Sequence, residues 1–223
     1  MSEESNVILL DFFASPFCLR PRIALEEKGV TYESREEKNL LGGKSELLLK
    51  SNPHYQKVPV LLHQGKPVVE SANIVAYIDE AWPSNPLLPT CAYARSQARF
   101  WTDFIDKKVF DAGRNIWLSK GEELEVAKKE FIETLKVLEG ALGEKDFFGG
   151  DSFGYVDIIA IALTSWFLAY EKTGGFKVED HCPKFSAWIK RCLERPSVAK
   201  VYPDPENIYH FVLVLRKMNG IVD

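Results

Sequence analysis

A serine that opens a helix is the residue of this chain best placed to hold an anion. Ser15-Pro16-Phe17-Cys18 follows the apolar run Val7-Ile8-Leu9-Leu10-Asp11-Phe12-Phe13 and precedes Leu19 to Lys28, a helix that Gly29 can close. Unpaired N–H groups and the positive end of the dipole gather at such a start, so a thiolate is favoured there. A hydroxyl at this place can donate to a sulfur anion, or it can serve as a plain N-cap. Glu70-Ser71, at a strand-to-helix junction, offers a second set of partners. A carboxylate there can hold an ammonium, and the Ser71 hydroxyl and N–H can hold a carboxylate. Taken singly, they read first as a surface glutamate and another N-cap serine, and only second as a binding pair. The third segment is Lys57-Val58-Pro59-Val60. Pro59 cannot donate to a ladder, so it belongs at an edge or bend. A cis Val58–Pro59 bond would turn the Val58 N–H and C=O outward, toward an extended peptide.

Cys18 follows Ser15 by three, as in a Cys-x-x-Cys redox motif whose leading cysteine has become serine. Two-thiol disulfide chemistry is therefore disfavoured, and Cys18 is expected to be buried packing. Thiol transfer through Cys18 is the competing use.

These segments must be positioned by ordered elements. Residues 7–12 and 30–35 read as strands, 17–28 and 45–50 as helices. Residues 58–62 and 67–69 read as a hairpin, and 71–80 as a further helix. The order β-α-β-α-β-β-α predicts a small α/β layer with one mixed sheet. Residues 81–90, rich in proline and polar side chains, read as a linker. Beyond them the pattern is helical. Ala98, Trp101, Phe104, Ile105 and Phe110 mark one helix, and Leu124, Ala127, Phe131, Leu135, Leu138 and Leu142 one face of a long one. Residues 156–170 are apolar almost all round and predict one central buried helix. Gly154 and Asp157 mark its N-cap and N3 positions, with Phe153 and Ile158 as a hydrophobic staple. Phe185, Trp188, Ile189 and Cys192 mark another helix, and 205–218 a last one carrying Phe211, Val212 and Leu215 on one side. The predicted division is 1–82, a linker 83–92, and an all-helical part 93–223.

The 223 residues carry a formal net charge of -4, which gives no electrostatic footprint for nucleic acid. No apolar run is long enough to span a membrane. The acidic, polar stretch at 1–5 does not look like a secretory or transit peptide. Four cysteines, irregularly spaced, predict reduced thiols in a cytoplasmic setting, with no disulfide framework and no metal site.

Together, Ser15, Val58-Pro59 and Glu70-Ser71 resemble the thioredoxin-like glutathione-binding domain of the cytosolic glutathione transferases. The stretch from Leu40 to Pro53, Phe100-Trp101-Thr102-Asp103-Phe104-Ile105-Asp106-Lys107-Lys108, Phe148-Gly149-Gly150-Asp151, Gly154-Tyr155-Val156-Asp157 and Cys182-Pro183-Lys184-Phe185 resemble the plant tau class. The resemblance implies an α/β thioredoxin-like N-terminal domain followed by an all-α C-terminal domain. It implies a cytoplasmic homodimer that needs glutathione as co-substrate and no metal. It implies that Ser15 donates to the glutathione sulfur. Lys44 and Lys57 would meet the glycyl carboxylate, the Val58 backbone the cysteinyl unit, and Glu70 and Ser71 the γ-glutamyl ammonium and carboxylate. Pro59, Gly154 and Asp157 would be structural. Acceptor-site walls would come from Phe12, Phe13, Phe110, Arg114, Trp117, Trp166, Phe211 and Leu215, in a cleft between the domains. The implied activity is conjugation of the thiolate to hydrophobic electrophiles, with glutathione-dependent hydroperoxide reduction beside it. A carrier of hydrophobic molecules is the alternative.

Activation of the thiol needs little machinery. A free thiol has a pKa of about 8.5, and lowering it by two units takes about 2.7 kcal/mol. A charge-assisted hydrogen bond supplies about 1.5–3 kcal/mol and a helix N-terminus a further fraction, so no general base is required.

Overall fold

The computed structural model describes residues 6–38 and 42–221. The stretch at 1–5 and, within the tau-like segment, Leu40 and Leu41 lie outside the described residues. The chain forms two compact units, Met1–Leu88 and Pro89–Asp223.

In the first unit, β1 (Val7–Asp11) leads into α1 (Pro16–Glu27), β2 (Glu33–Glu36), α2 (Glu46–Ser51), β3 (Val60–His63), β4 (Lys66–Val69) and α3 (Ser71–Ala81). The sheet order is β2-β1-β3-β4; β1 pairs parallel with β2 and antiparallel with β3, and β3 antiparallel with β4. Register opposes Leu10 to Val60 and Ile8 to Leu62. Alternation along each strand puts these four on one face, where they pack with Leu48 of α2. Leu9 and Leu61, also opposed, are fully buried on the other face. Helices α1 and α3 pack against each other.

The second strand departs from the 30–35 expectation. Gly29 ends α1 at φ 64°, its N–H bonding Glu26 O, while the Val30 N–H bonds Leu25 O at 2.9 Å. That is a Schellman closure, and it commits Val30 to the helix end rather than to a ladder. Pairing continues at the far end instead, where the Glu37 N–H reaches Asp11 O at 2.8 Å. All four β2 residues are exposed, as suits a charged edge strand.

A buried ion pair fixes the end of this unit. Lys28 Nζ lies 2.7 Å from Asp79 Oδ1 and also donates to Ser84 O and Asn85 O. Asp79 accepts from the Leu87 and Leu88 N–H groups. Burial pushes the Asp79 carboxyl up, but Lys28 and the two backbone donors together hold it below its ordinary range.

The second unit is helical. Its elements are α4 (Ala92–Phe104), a π-helical turn (Ile105–Val109), α5 (Phe110–Leu118), α6 (Gly121–Leu142), α7 (Tyr155–Thr164), α8 (Phe167–Gly174), α9 (Val178–His181), α10 (Pro183–Leu193), α11 (Pro196–Ala199) and α12 (Pro205–Met218). The expected single helix over 156–170 is two helices. Thr164 Oγ1 donates to Ile161 O and Ser165 Oγ to Ala162 O, both at 2.8 Å, and the chain turns at 165–166 before α8 begins. Such hydroxyl back-bonding competes with the backbone ladder. Gly113 sets the spacing of α5 against α8, because a Cβ there would fall 2.5 Å from the Tyr170 ring.

Asp157 anchors α7. It is fully buried and accepts from Gly154 N at 3.0 Å, Phe148 N at 3.0 Å and Trp188 Nε1 at 2.9 Å. Glycine has no side chain to return the bond, so only the N3 half of the capping box exists. Burial pushes the Asp157 carboxyl up to about 6, against the pull of its N–H donors. Phe153 and Ile158 are both buried, in the staple positions.

Candidate active site

The turn from β1 to α1 places Ser15. Its N–H bonds Phe12 O at 3.0 Å, and its side chain caps α1 by accepting from Cys18 N at 3.2 Å, with Pro16 at the first helical position. That bond uses an oxygen lone pair and leaves the hydroxyl proton for another acceptor. The cap and the donor are thus compatible roles of one group. Asp11, just before the turn, pairs with Arg22 Nε at 3.2 Å and accepts from Ser34 Oγ.

Cys18 is fully buried. Burial pushes its thiol far up, the Asp11 carboxylate adding to the effect. It is therefore a packing residue and a poor nucleophile.

Within the same unit a cavity of about 160 Å³ is lined by Phe17, Asn52, Lys57, Val58, Pro59, Glu70 and Ser71. Four residues singled out in the sequence for the glutathione peptide thus meet at one place, from the two ends of the β3–β4 hairpin. Ser15 and Lys44 are not part of this lining. Val58–Pro59 is cis. Glu70 occupies the N-cap position of α3 at φ 69°, a region that strains a non-glycine residue by about 1–3 kcal/mol. No side chain caps this helix, and Ser71 is its first residue. The alternative reading of Ser71 as an N-cap does not hold: it is the first residue of α3, and its hydroxyl accepts from Arg20 Nη1 at 3.0 Å.

Phe17, Asn52 and Arg20 escaped the sequence reading. Asn52 is buried and braces the loop before Val58, its amide donating to Lys57 O at 3.0 Å and accepting from Tyr55 N at 3.3 Å. An asparagine before Pro53 was the available signal, since such residues close turns through their own side chains. Lys44 is half-buried and precedes Ser45, which caps α2 and donates to the buried Glu37.

The residues expected at the acceptor site fall in both units. In the first, the Phe12 and Phe13 rings meet edge to face at 5.1 Å, and Phe13 is exposed. In the second, Trp166 lies 6.2 Å from both Trp117 and Phe211. Trp117 and Trp166 are buried; Phe110, Phe211 and Leu215 are half-buried; Arg114 is exposed. The buried Arg216 donates to Trp117 O at 2.8 Å and holds α12 to the end of α5. Among the described residues, no group of three or more His, Cys, Asp or Glu side chains is arranged to hold a metal ion. Nor is any described helix long and apolar enough to cross a membrane.

Comparison with known proteins gives the family and agrees with the fold. Residues 5–80 match the family model for the glutathione S-transferase N-terminal domain, and 97–196 that for the C-terminal domain. The chain is 58% identical to glutathione S-transferase U19 of Arabidopsis thaliana over 214 residues, which covers 96% of this chain and 97% of the relative. It is 56% identical to the probable glutathione S-transferase parC of Nicotiana tabacum over 218 residues, 97% and 98% of the two chains. Among solved structures, rice GST1 in complex with glutathione superposes with a TM-score of 0.93 at 48% identity, covering 97% of this chain and 99% of the other. A tau-class enzyme from mango, Mangifera indica, superposes at 0.89 with 39% identity, covering 94% and 98%. On sequence and fold alike, this chain belongs to the tau class of the glutathione S-transferase family.

Proposed function

We propose that the chain activates glutathione through Ser15 and transfers its thiolate to hydrophobic electrophiles. The observation that carries this is the Ser15 hydroxyl, which caps α1 with a lone pair and keeps its proton to donate. The glutathione thiolate, held by that O–H and by the helix start, attacks an electrophilic carbon. A C–S bond forms and the leaving group departs with its bonding electrons, while the thiol proton has already gone to solvent. With an organic hydroperoxide, the same thiolate attacks the terminal peroxide oxygen. The O–O bond breaks, the alkoxide leaves and takes a proton from solvent to become the alcohol, and a second glutathione displaces water from the resulting sulfenic acid to give the disulfide.

The peptide is held along the cavity floor. Glu70 takes the γ-glutamyl ammonium, and Ser71 with the open start of α3 takes the γ-glutamyl carboxylate. The Val58 backbone pairs with the cysteinyl unit. Lys57 and Lys44 meet the glycyl carboxylate at the other end. The aromatic side chains named above suit an apolar acceptor. The enzyme works as a cytoplasmic homodimer.

The test is a pH–rate profile for conjugation of a chloronitrobenzene with glutathione. The expected apparent pKa lies well below the free thiol's value of about 8.5. Absence of conjugation, with a fluorescent hydrophobe still bound, would replace this reading by the carrier.

A further inference from the structure

The turn between β1 and α1 is held in two ways, and the two holds act on different residues. Ser15 is tied to α1 itself. Its carbonyl accepts from Cys18 N at 3.1 Å and Leu19 N at 3.2 Å, and its hydroxyl accepts from Cys18 N. Phe12 and Phe13 are tied by side chains. The Phe12 N–H donates to Asp11 Oδ1 at 2.7 Å and the Phe13 N–H to Glu36 Oε1 at 3.3 Å. Arg22 Nη2 donates to the Phe12 carbonyl at 3.2 Å and to the Phe13 carbonyl at 3.4 Å. One bond joins the two sets, Ser15 N–H to Phe12 O at 3.0 Å, and it does not need Arg22.

Arg22 stands seven residues after Ser15. Residues so spaced share a helix face, and helical side chains lean toward the N-terminus, so Arg22 reaches back over the turn. Its side chain is 12% exposed, and its Nε lies 3.2 Å from Asp11 Oδ2, an oxygen that also accepts from Ser34 Oγ at 3.1 Å. The contacts of Arg22 thus include a carboxylate and two backbone carbonyls, which suits a planar fork with several fixed donors. Tying both the N–H and the C=O of a residue restrains its φ and ψ, and these set the direction in which its side chain leaves. The two side chains so aimed are the Phe12 and Phe13 rings, which meet edge to face at 5.1 Å. Contact with an aromatic partner depends on ring geometry, whereas a short aliphatic partner gains mainly from buried area.

We propose that Arg22 is a positioning residue for the acceptor: it aims the Phe12 and Phe13 rings through their carbonyls and so favours planar aromatic over short aliphatic electrophiles, without tuning the thiol. The inference rests on the reading of Phe12 and Phe13 as acceptor-site walls. Its consequence is a division within one turn, with Ser15 set by the helix and the acceptor wall set by Arg22.

The experiment compares wild type with Arg22→Lys, Phe12→Ala and Phe13→Ala, using a chloronitrobenzene and a short alkyl isothiocyanate as acceptors. Lysine keeps a charge for Asp11 and loses the fork. Arg22→Lys is expected to lower kcat/KM for the chloronitrobenzene about fivefold and for the isothiocyanate less than about twofold, with KM for glutathione and the apparent thiol pKa unmoved. Equal losses for both acceptors would overturn the proposal, as would unchanged kinetics or a shifted thiol pKa. If neither phenylalanine variant alters the preference between acceptors, the reading of these rings as acceptor walls fails and the proposal with it. If they alter it and Arg22→Lys does not, only the role of Arg22 fails. Should Arg22→Lys not fold, Asp11→Asn decides, since it keeps the shape of Asp11 and removes the charge that aligns the guanidinium. A reduced preference for the chloronitrobenzene at an unmoved thiol pKa would support the proposal, and an unchanged preference would overturn it.

Discussion

On the proposed function, Ser15→Ala removes two bonds made by one oxygen, and each has its own readout. The first is the O–H that the proposed function gives to the glutathione thiolate. At about 1.5–3 kcal/mol for a charge-assisted bond, its loss raises the bound thiol pKa by about 1–2 units. The helix start remains, so the pKa should stay somewhat below that of the free thiol. From a wild-type value near 6.5, a rise of about 1.5 units cuts the thiolate fraction at pH 6.5 by about sixteenfold and at pH 9 by much less. The second bond is the cap on Cys18 N, made at 3.2 Å. Its loss costs about 0.5–2 kcal/mol of stability, whatever the ligand. The assay is kcat/KM for a chloronitrobenzene from pH 5.5 to 9, with thermal unfolding of the ligand-free protein beside it. Ser15→Thr, which retains a hydroxyl, should follow wild type more closely on both axes. A Ser15→Ala profile lowered equally at every pH would refute thiolate stabilisation and leave Ser15 as an orienting group. An unchanged profile with a lowered melting temperature would leave it as a helix cap alone.

Three further outcomes are expected. Asp79→Ala strands the Lys28 ammonium in a buried setting and frees the Leu87 and Leu88 N–H groups, so it should cost about 3–5 kcal/mol in denaturant unfolding; a cost under 1 kcal/mol would show the pair to be dispensable. Asp157 has a folded-state pKa raised to about 6, so its favourable contribution is complete below the unfolded value near 4 and declines as pH rises through 6. Wild type should therefore lose up to about 3 kcal/mol relative to Asp157→Asn across that window, and a slope of the opposite sign would show that the three N–H donors outweigh burial. Of the four free cysteines only Cys91 is exposed, its thiol held below its ordinary range by the Ala94 and then the Tyr93 backbone N–H. A thiol reagent applied to the native protein should modify one site rapidly, and Cys91→Ser should abolish that phase; persistence of the fast phase would place a second thiol at the surface.

The sequence by itself determined most of the elements and the family. Ser15 before Pro16 announced a helix start, and Gly29 its end, because capping and left-handed closure are decided by the residues on the spot. Asp157, three positions after Gly154, and the 3.6-residue spacing from Ala127 to Leu142 were legible for the same local reason. Where a local pattern had two solutions, the fold chose. Residues 156–170 are apolar on every side, so periodicity could not place the break that the Thr164 and Ser165 hydroxyls mark. Val30 looked like a strand until the end of α1 claimed its N–H. The isomer of Val58–Pro59 and the positive φ of Glu70 are fixed by the surrounding chain and leave no periodic trace. Arg20 was the least visible of all. An arginine inside a helix reads as solvent-facing, and only the packing of α1 against α3 brings its buried guanidinium to Ser71, fifty-one residues away in the chain.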